Sequence, residues 1–161
     1  MYIKRRLNER LKIFKNLRNN YRFIKKTSHR HSVCVGVGGN VLDVKRRFER
    51  LYTFFKRDKR VGVIKISSIL KNPPFGYLEQ EDFLNSVIIL KTNMQPLRFL
   101  DYLMRVERRF LRKRSFRDAP RTLDLDIIFF DNRHINVPKL QIPHPKWHER
   151  ESVLIPLAEL I

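Results

Sequence analysis

The chain has 161 residues, 42% hydrophobic and 32% charged, which suits one folded domain with a real core and excludes a disordered chain. No run approaches the ~20 apolar residues of a membrane span, and the charges scattered through residues 1–31 are wrong for a secretion signal. The formal charge of +19 is uneven: residues 1–31 hold 11 Lys and Arg against the one acid Glu9, a net of +10, so polyanions are attracted without a choice among nucleic acid, anionic lipid and nucleotide.

Along the chain, Ile3, Leu7, Leu11, Phe14, Leu17, Tyr21 and Ile24 recur three or four apart with basic residues between them. That spacing predicts an amphipathic helix over residues 3–24, within a basic helical extension of residues 1–31. The Ser- and His-bearing stretch before Ser32 reads as a linker. Ser32–Val37 is an apolar strand, ended by a turn at Gly38-Gly39-Asn40 with Asn40 as expected N-cap of a helix over Val41–Phe55. Cys34, the single cysteine, lies within that strand and cannot form an internal disulfide; it reads as a buried thiol of a cytoplasmic protein.

Val61–Leu70 alternates as a strand and must stop at Asn72-Pro73-Pro74-Phe75-Gly76, because proline supplies no ladder donor. Phe83–Leu90 is a further strand, Pro96–Phe110 a second helix with proline in its first turn, and Leu123–Phe130 another strand. The order βαββαβ over residues 32–161 predicts an α+β, ferredoxin-like sandwich, a mostly antiparallel sheet with two helices on one face.

The chemistry concentrates in Arg121-Thr122-Leu123-Asp124-Leu125-Asp126-Ile127-Ile128. On a strand Asp124 and Asp126 point the same way, about 7 Å apart, while Leu123, Leu125 and Ile127 point into a core. Two like charges side by side are destabilising unless a cation bridges them, and hard oxygen ligands select Mg2+ over zinc or copper. The bland reading is a strand end with two solvated acids. Arg108, Arg109, Arg112, Lys113, Arg114, Arg117 and Arg121 lead into the pair, and arginine forks suit phosphate oxygens. His144, held between Pro143 and Pro145, is a candidate phosphate donor near Arg150. Gly36-Val37-Gly38-Gly39 completes no nucleotide-binding fingerprint and reads as a tight strand-to-helix turn.

The run Arg117-x-Ala119-Pro120-Arg121-x-x-Asp124-Leu125-Asp126 resembles the defining motif of the 6-hydroxymethyl-7,8-dihydropterin pyrophosphokinases of folate biosynthesis. Gly38-Gly39-Asn40, Pro73-Pro74-x-Gly76, Asp82-Phe83-Leu84-Asn85, Glu107 and Pro143-His144 through Arg150 fall in the family's order, so the resemblance covers roughly residues 32–161. It implies transfer of pyrophosphate from ATP to the pterin hydroxymethyl oxygen, with release of AMP. It implies two Mg2+ ions on Asp124 and Asp126, with Arg112 and Arg121 beside them as catalytic residues. Arg114, His144 and Arg150 would grip the triphosphate, with Ile127, Lys139 and Gln141 near the nucleotide. Asn85 would hydrogen-bond the pterin, lying beside Phe83 and the backbone of Asn72, Pro73, Pro74 and Phe75. Ser152 stands where the family carries a stacking aromatic, and Trp147 or another nearby aromatic is the expected replacement. ATP and the pterin are the expected partners of a monomer, with no stable nucleic-acid or membrane partner. Two rivals stay open: a nucleotidyl transferase of similar architecture, and a non-catalytic RNA-binding module suggested by the +19 charge.

Overall fold

Residues 2–16, 27–111 and 120–161 are described by a computed structural model. In chain order they form β1 (Tyr2–Arg6), β2 (Lys12–Asn16), β3 (His31–Gly39), α1 (Val44–Arg57), β4 (Val61–Ile66), β5 (Ile69–Asn72), β6 (Phe83–Thr92) and α2 (Pro96–Arg109). After these come β7 (Asp124–Phe130), β8 (Ile135–Val137), β9 (Leu140–Ile142), a single 3-10 turn (Trp147–Glu149) and α3 (Glu151–Ala158).

Seven strands make one antiparallel sheet in the order β1-β2-β5-β6-β3-β7, with β4 pairing β6 further along the same edge as β5. β8 and β9 form a separate small hairpin. On β3 the valines at 33, 35 and 37 face α1 and α2, whose buried Phe48, Leu51, Phe55, Phe99, Tyr102 and Leu103 complete the main core. Truncating a fully enclosed ring such as Phe48 costs about 3–5 kcal/mol. Cys34 faces the other way, toward Val87, Ile128, Val153 and Leu160, where α3 covers the second face. Burial pushes its thiol up to about 12, so it is an inert packing group. Among the described residues no helix is long and apolar enough to cross a membrane.

Four local expectations change. Residues 2–16 are a β-hairpin rather than the first part of a helix, while residues 17–24 of that expected helix lie outside the described residues. Asn8 decides it locally: its Oδ1 accepts from the Arg10 and Leu11 amides at 2.9 and 2.7 Å, closing a turn that competes with helix. The exposed edge of β5 then supplies β2 with a backbone partner. Second, Asp43 caps α1, accepting from the Arg46 amide at 3.1 Å, in place of Asn40. Third, the strand expected over Val61–Leu70 breaks at Ser67-Ser68, where Glu159 after α3 accepts from the Ser68 amide and hydroxyl, both at 2.7 Å. Fourth, Gly36–Gly39 belong to β3 and are not a turn.

Candidate active site

β7 puts Leu123's neighbour Leu125 and then Ile127 into the main core, which turns Asp124 and Asp126 toward the face covered by α3. Across the ladder they sit opposite Gly38 and Gly36. The glycines clear the floor of a cavity: a Cβ on Gly38 would meet Asn85 Oδ1 at 2.9 Å. Behind β7 the buried Glu107 of α2 accepts from the Leu125 amide at 2.8 Å, pinning the backbone between the two aspartates.

Arg121 enters from the loop before β7. Its Nη1 donates to Asp124 Oδ2 at 2.6 Å, and its guanidinium lies 5.8 Å from the Phe83 ring centre. Asn40 holds that loop in place. Its amide donates to Arg121 O at 3.0 Å, its Oδ1 accepts from the Arg121 amide at 2.9 Å, and its Nδ2 reaches Gln80 and Glu81. Gly39 must lack a side chain here, because a Cβ would strike Thr122 O at 2.7 Å.

The cavity is lined by Phe75, Phe83, Asn85, Arg121, Asp124 and Asp126 together with His144, Arg150, Ser152 and Val153. Asn72, Pro73 and Pro74 do not line it; the buried Asn72 stands behind, accepting from Asn85 Nδ2 at 2.6 Å. Trp147 does not line it either. Its ring packs edge-on to Phe129 at 5.0 Å, against the small core that α3 covers. The aromatic walls are Phe75 and Phe83. The Arg150 guanidinium lies 6.0 Å from the Phe75 ring centre, so each wall carries a cation against it.

A second, more open recess adjoins the first, lined by Leu125, Asp126, Ile127, Lys139, Gln141 and His144. Asp126 and His144 belong to both. His144 is fixed by its amide, which donates to Ile128 O at 2.9 Å, and its Nδ1 accepts from the Lys146 amide at 3.2 Å. Burial, reinforced by Arg150 and Lys146 and opposed by Asp124, holds its pKa below the ordinary histidine value. Arg112 and Arg114 lie outside the described residues.

Residues 34–161 match the family model described as 7,8-dihydro-6-hydroxymethylpterin-pyrophosphokinase (HPPK). The chain belongs to that family. The 2-amino-4-hydroxy-6-hydroxymethyldihydropteridine pyrophosphokinase of Helicobacter pylori is 44% identical over 138 residues, 84% of this chain and 85% of that protein. The enzymes of the same name from Campylobacter jejuni and Bacillus subtilis are 37% and 36% identical, over 81% and 78% of this chain and 83% and 75% of theirs. Pyrophosphoryl transfer to hydroxymethyldihydropterin, in folate biosynthesis, is the family's reaction and this enzyme's.

Within this pyrophosphokinase, Gly36 and Gly38, expected only as part of a turn, line the cavity, as do Ser86 and Val153, for which no site role was expected. A signal existed for the glycines. Gly36 and Gly38, two apart in an apolar strand, mark a place where something approaches the backbone closely. Ser86 and Val153 carry no such mark, since only the packing of α3 on β6 brings them together.

Proposed function

We propose that the cavity beneath α3 takes the dihydropterin, the adjoining recess takes ATP, and the reacting groups meet where the two share a wall. The observation that carries this reading is that Asp126 and His144 border both hollows. The pterin hydroxymethyl oxygen attacks the β-phosphorus, the bond from that phosphorus to the oxygen of the α-phosphate breaks, AMP departs, and the hydroxyl proton is released. Little covalent work falls to the protein; it holds both substrates and neutralises charge.

Phe75 and Phe83 offer flat apolar faces to the ring, and Asn85, oriented by Asn72, offers a carboxamide to its edge. The backbone of Asn72, Pro73 and Pro74 carries Phe75 into place. Arg121 and Arg150 face the cavity as phosphate donors, and His144 has Nε2 left for the same task because Nδ1 is engaged. By family likeness Arg112 and Arg114 add to the triphosphate grip. Ile127, Lys139 and Gln141 line the nucleotide recess.

Asp124 and Asp126 suit Mg2+ as ligands. They present hard oxygens on one face, and among the described residues no cluster of three or more His, Cys, Asp or Glu competes for another metal. A site of two carboxylates leaves room for the waters and substrate phosphates that Mg2+ prefers. Bound there, two such ions would neutralise the charge of the phosphoryl group in transfer. The order β7-β3-β6-β4, with α1 and α2 on one face, supports a ferredoxin-like reading of residues 32–161, to which residues 1–31 are an extension. A buried, inert Cys34 fits an enzyme working in the reducing cytoplasm.

The test is incubation with ATP, Mg2+ and the hydroxymethyl dihydropterin, followed by nucleotide analysis. AMP is expected from wild type and none from Asp126→Ala. Release of pyrophosphate would instead favour a nucleotidyl transferase, and full activity in Asp126→Ala would overturn the assignment of the carboxylates.

A further inference from the structure

The hairpin β1–β2 precedes the part of the chain that matches the family, residues 34–161. It joins the sheet at a particular place. β5 pairs with β6 on one edge and with β2 on the other, through Lys12↔Lys71, Ile13↔Leu70 and Phe14↔Ile69. Without β2, that second edge would present a row of unpaired backbone groups.

The hairpin is also fastened to α1. Phe14 and Tyr2 pack against the main core, and the Lys45 ammonium lies 3.4 Å from the Phe14 ring centre and 5.4 Å from that of Tyr2. Tyr2 Oη donates to Glu49 Oε1 at 2.9 Å, and Leu11 is buried at the turn. The strand held this way ends at Asn72. Asn72 orients Asn85 through the 2.6 Å hydrogen bond, donates to Pro73 O at 2.7 Å, and is followed three residues on by Phe75. Lys71 adds an ion pair to Asp82, at the entry to β6, of 3.2 Å. By contrast, the adjoining recess is lined from α2, β7 and residues 138–145, whereas among the described residues β2 pairs with β1 and β5.

We infer that the hairpin of residues 2–16 is a brace that positions the pterin wall, with Ile13 and Phe14 as positioning residues for Asn85 and Phe75. This rests on the cavity beneath α3 being the pterin site. A brace on one wall acts on one substrate.

The experiment compares full-length wild type with Ile13→Pro, which breaks the pairing of β2, and Phe14→Ala, which removes only its packing. Steady-state AMP formation is measured against each substrate, and amide hydrogen exchange is followed at Lys71–Phe75. The pterin KM is expected to rise about tenfold in Ile13→Pro and about threefold in Phe14→Ala, with the ATP KM within about twofold. Exchange at Lys71–Phe75 should accelerate while that of β7 does not. An unchanged pterin KM in either folded variant, or both KM values rising together, overturns the brace. Should Ile13→Pro fail to fold, Phe14→Ala decides alone. Wild type that makes no pterin-dependent AMP would overturn the site assignment itself, and hydrogen exchange would still decide whether the hairpin steadies β5.

Discussion

Arg121 Nη1 donates to Asp124 Oδ2 across 2.6 Å, and both side chains are about four-fifths buried at the edge of the cavity. The pair is held from outside by Asn40, which grips the Arg121 backbone through both its amide and its carboxamide. A guanidinium fixed this way can serve the carboxylate and an incoming phosphate oxygen together, which a lysine ammonium does less well. Arg121→Ala is therefore expected to lower kcat by about a hundredfold or more, and Arg121→Lys to recover only part of it. Steady-state AMP formation checks this, and a thermal melt near that of wild type shows the loss is not unfolding. An Arg121→Ala enzyme within threefold of wild type would refute it.

Gly38 faces Asn85 across the floor of the cavity. A methyl group there would sit 2.9 Å from Asn85 Oδ1 and must push the carboxamide away from Asn72. Gly38→Ala should raise the pterin KM by about tenfold while leaving the ATP KM near its wild-type value, since the nucleotide recess shares neither residue. Equal rises in both constants would show instead that the strand had shifted as a whole.

Two aromatic substitutions separate stacking from packing. Phe75 is half exposed on the cavity wall, whereas Trp147 is packed on Phe129 beneath α3. Phe75→Ala should weaken pterin binding by on the order of 1 kcal/mol with little change in stability. Trp147→Ala should lower stability by about 2 kcal/mol and leave the pterin KM near wild type. Isothermal titration and chemical denaturation read the two effects, and the opposite pattern would move the stacking role back to Trp147.

His144 carries a pH signature. Burial is the first cause of its lowered pKa, followed by the charge of Arg150, so the folded protein protonates it less readily than the unfolded chain does. The unfolded state thus binds more protons just below the ordinary histidine value of about 6.5. This contribution to stability is fully present above that pH and is lost as the pH falls through the folded-state pKa. NMR titration of the ring should give a midpoint below about 6.5, and His144→Asn should flatten the stability slope in that window. A midpoint above it would contradict the burial argument.

Much of this protein is legible without its tertiary structure. The period-two pattern of β7 places Asp124 and Asp126 together and Leu125 and Ile127 behind them, because a strand alternates its faces whatever it packs against. The helical spacings of α1 and α2 are long and strongly periodic, and their buried faces are the ones their sequences mark. α3 escaped because Pro156 interrupts its pattern and its eight residues lack an amphipathic stripe; β8 and β9 are three residues each, too short for any period.

What only the tertiary structure decided depends on partners far along the chain. Residues 2–16 carry apolar spacings compatible with a helix, and the outcome was set by the Asn8 turn together with the open edge of β5, some 55 residues away. Trp147 and Phe75 both look like candidates to stack on a flat ring, but Trp147 packs on Phe129 away from the cavity while Phe75 lies on its wall. The sequence by itself determined that Asp124 and Asp126 share one face of β7, since strand alternation is a property of the local backbone. Which side chains enclose them was settled by long-range pairing, because a cavity is made of residues that touch only after the sheet and its helices have closed.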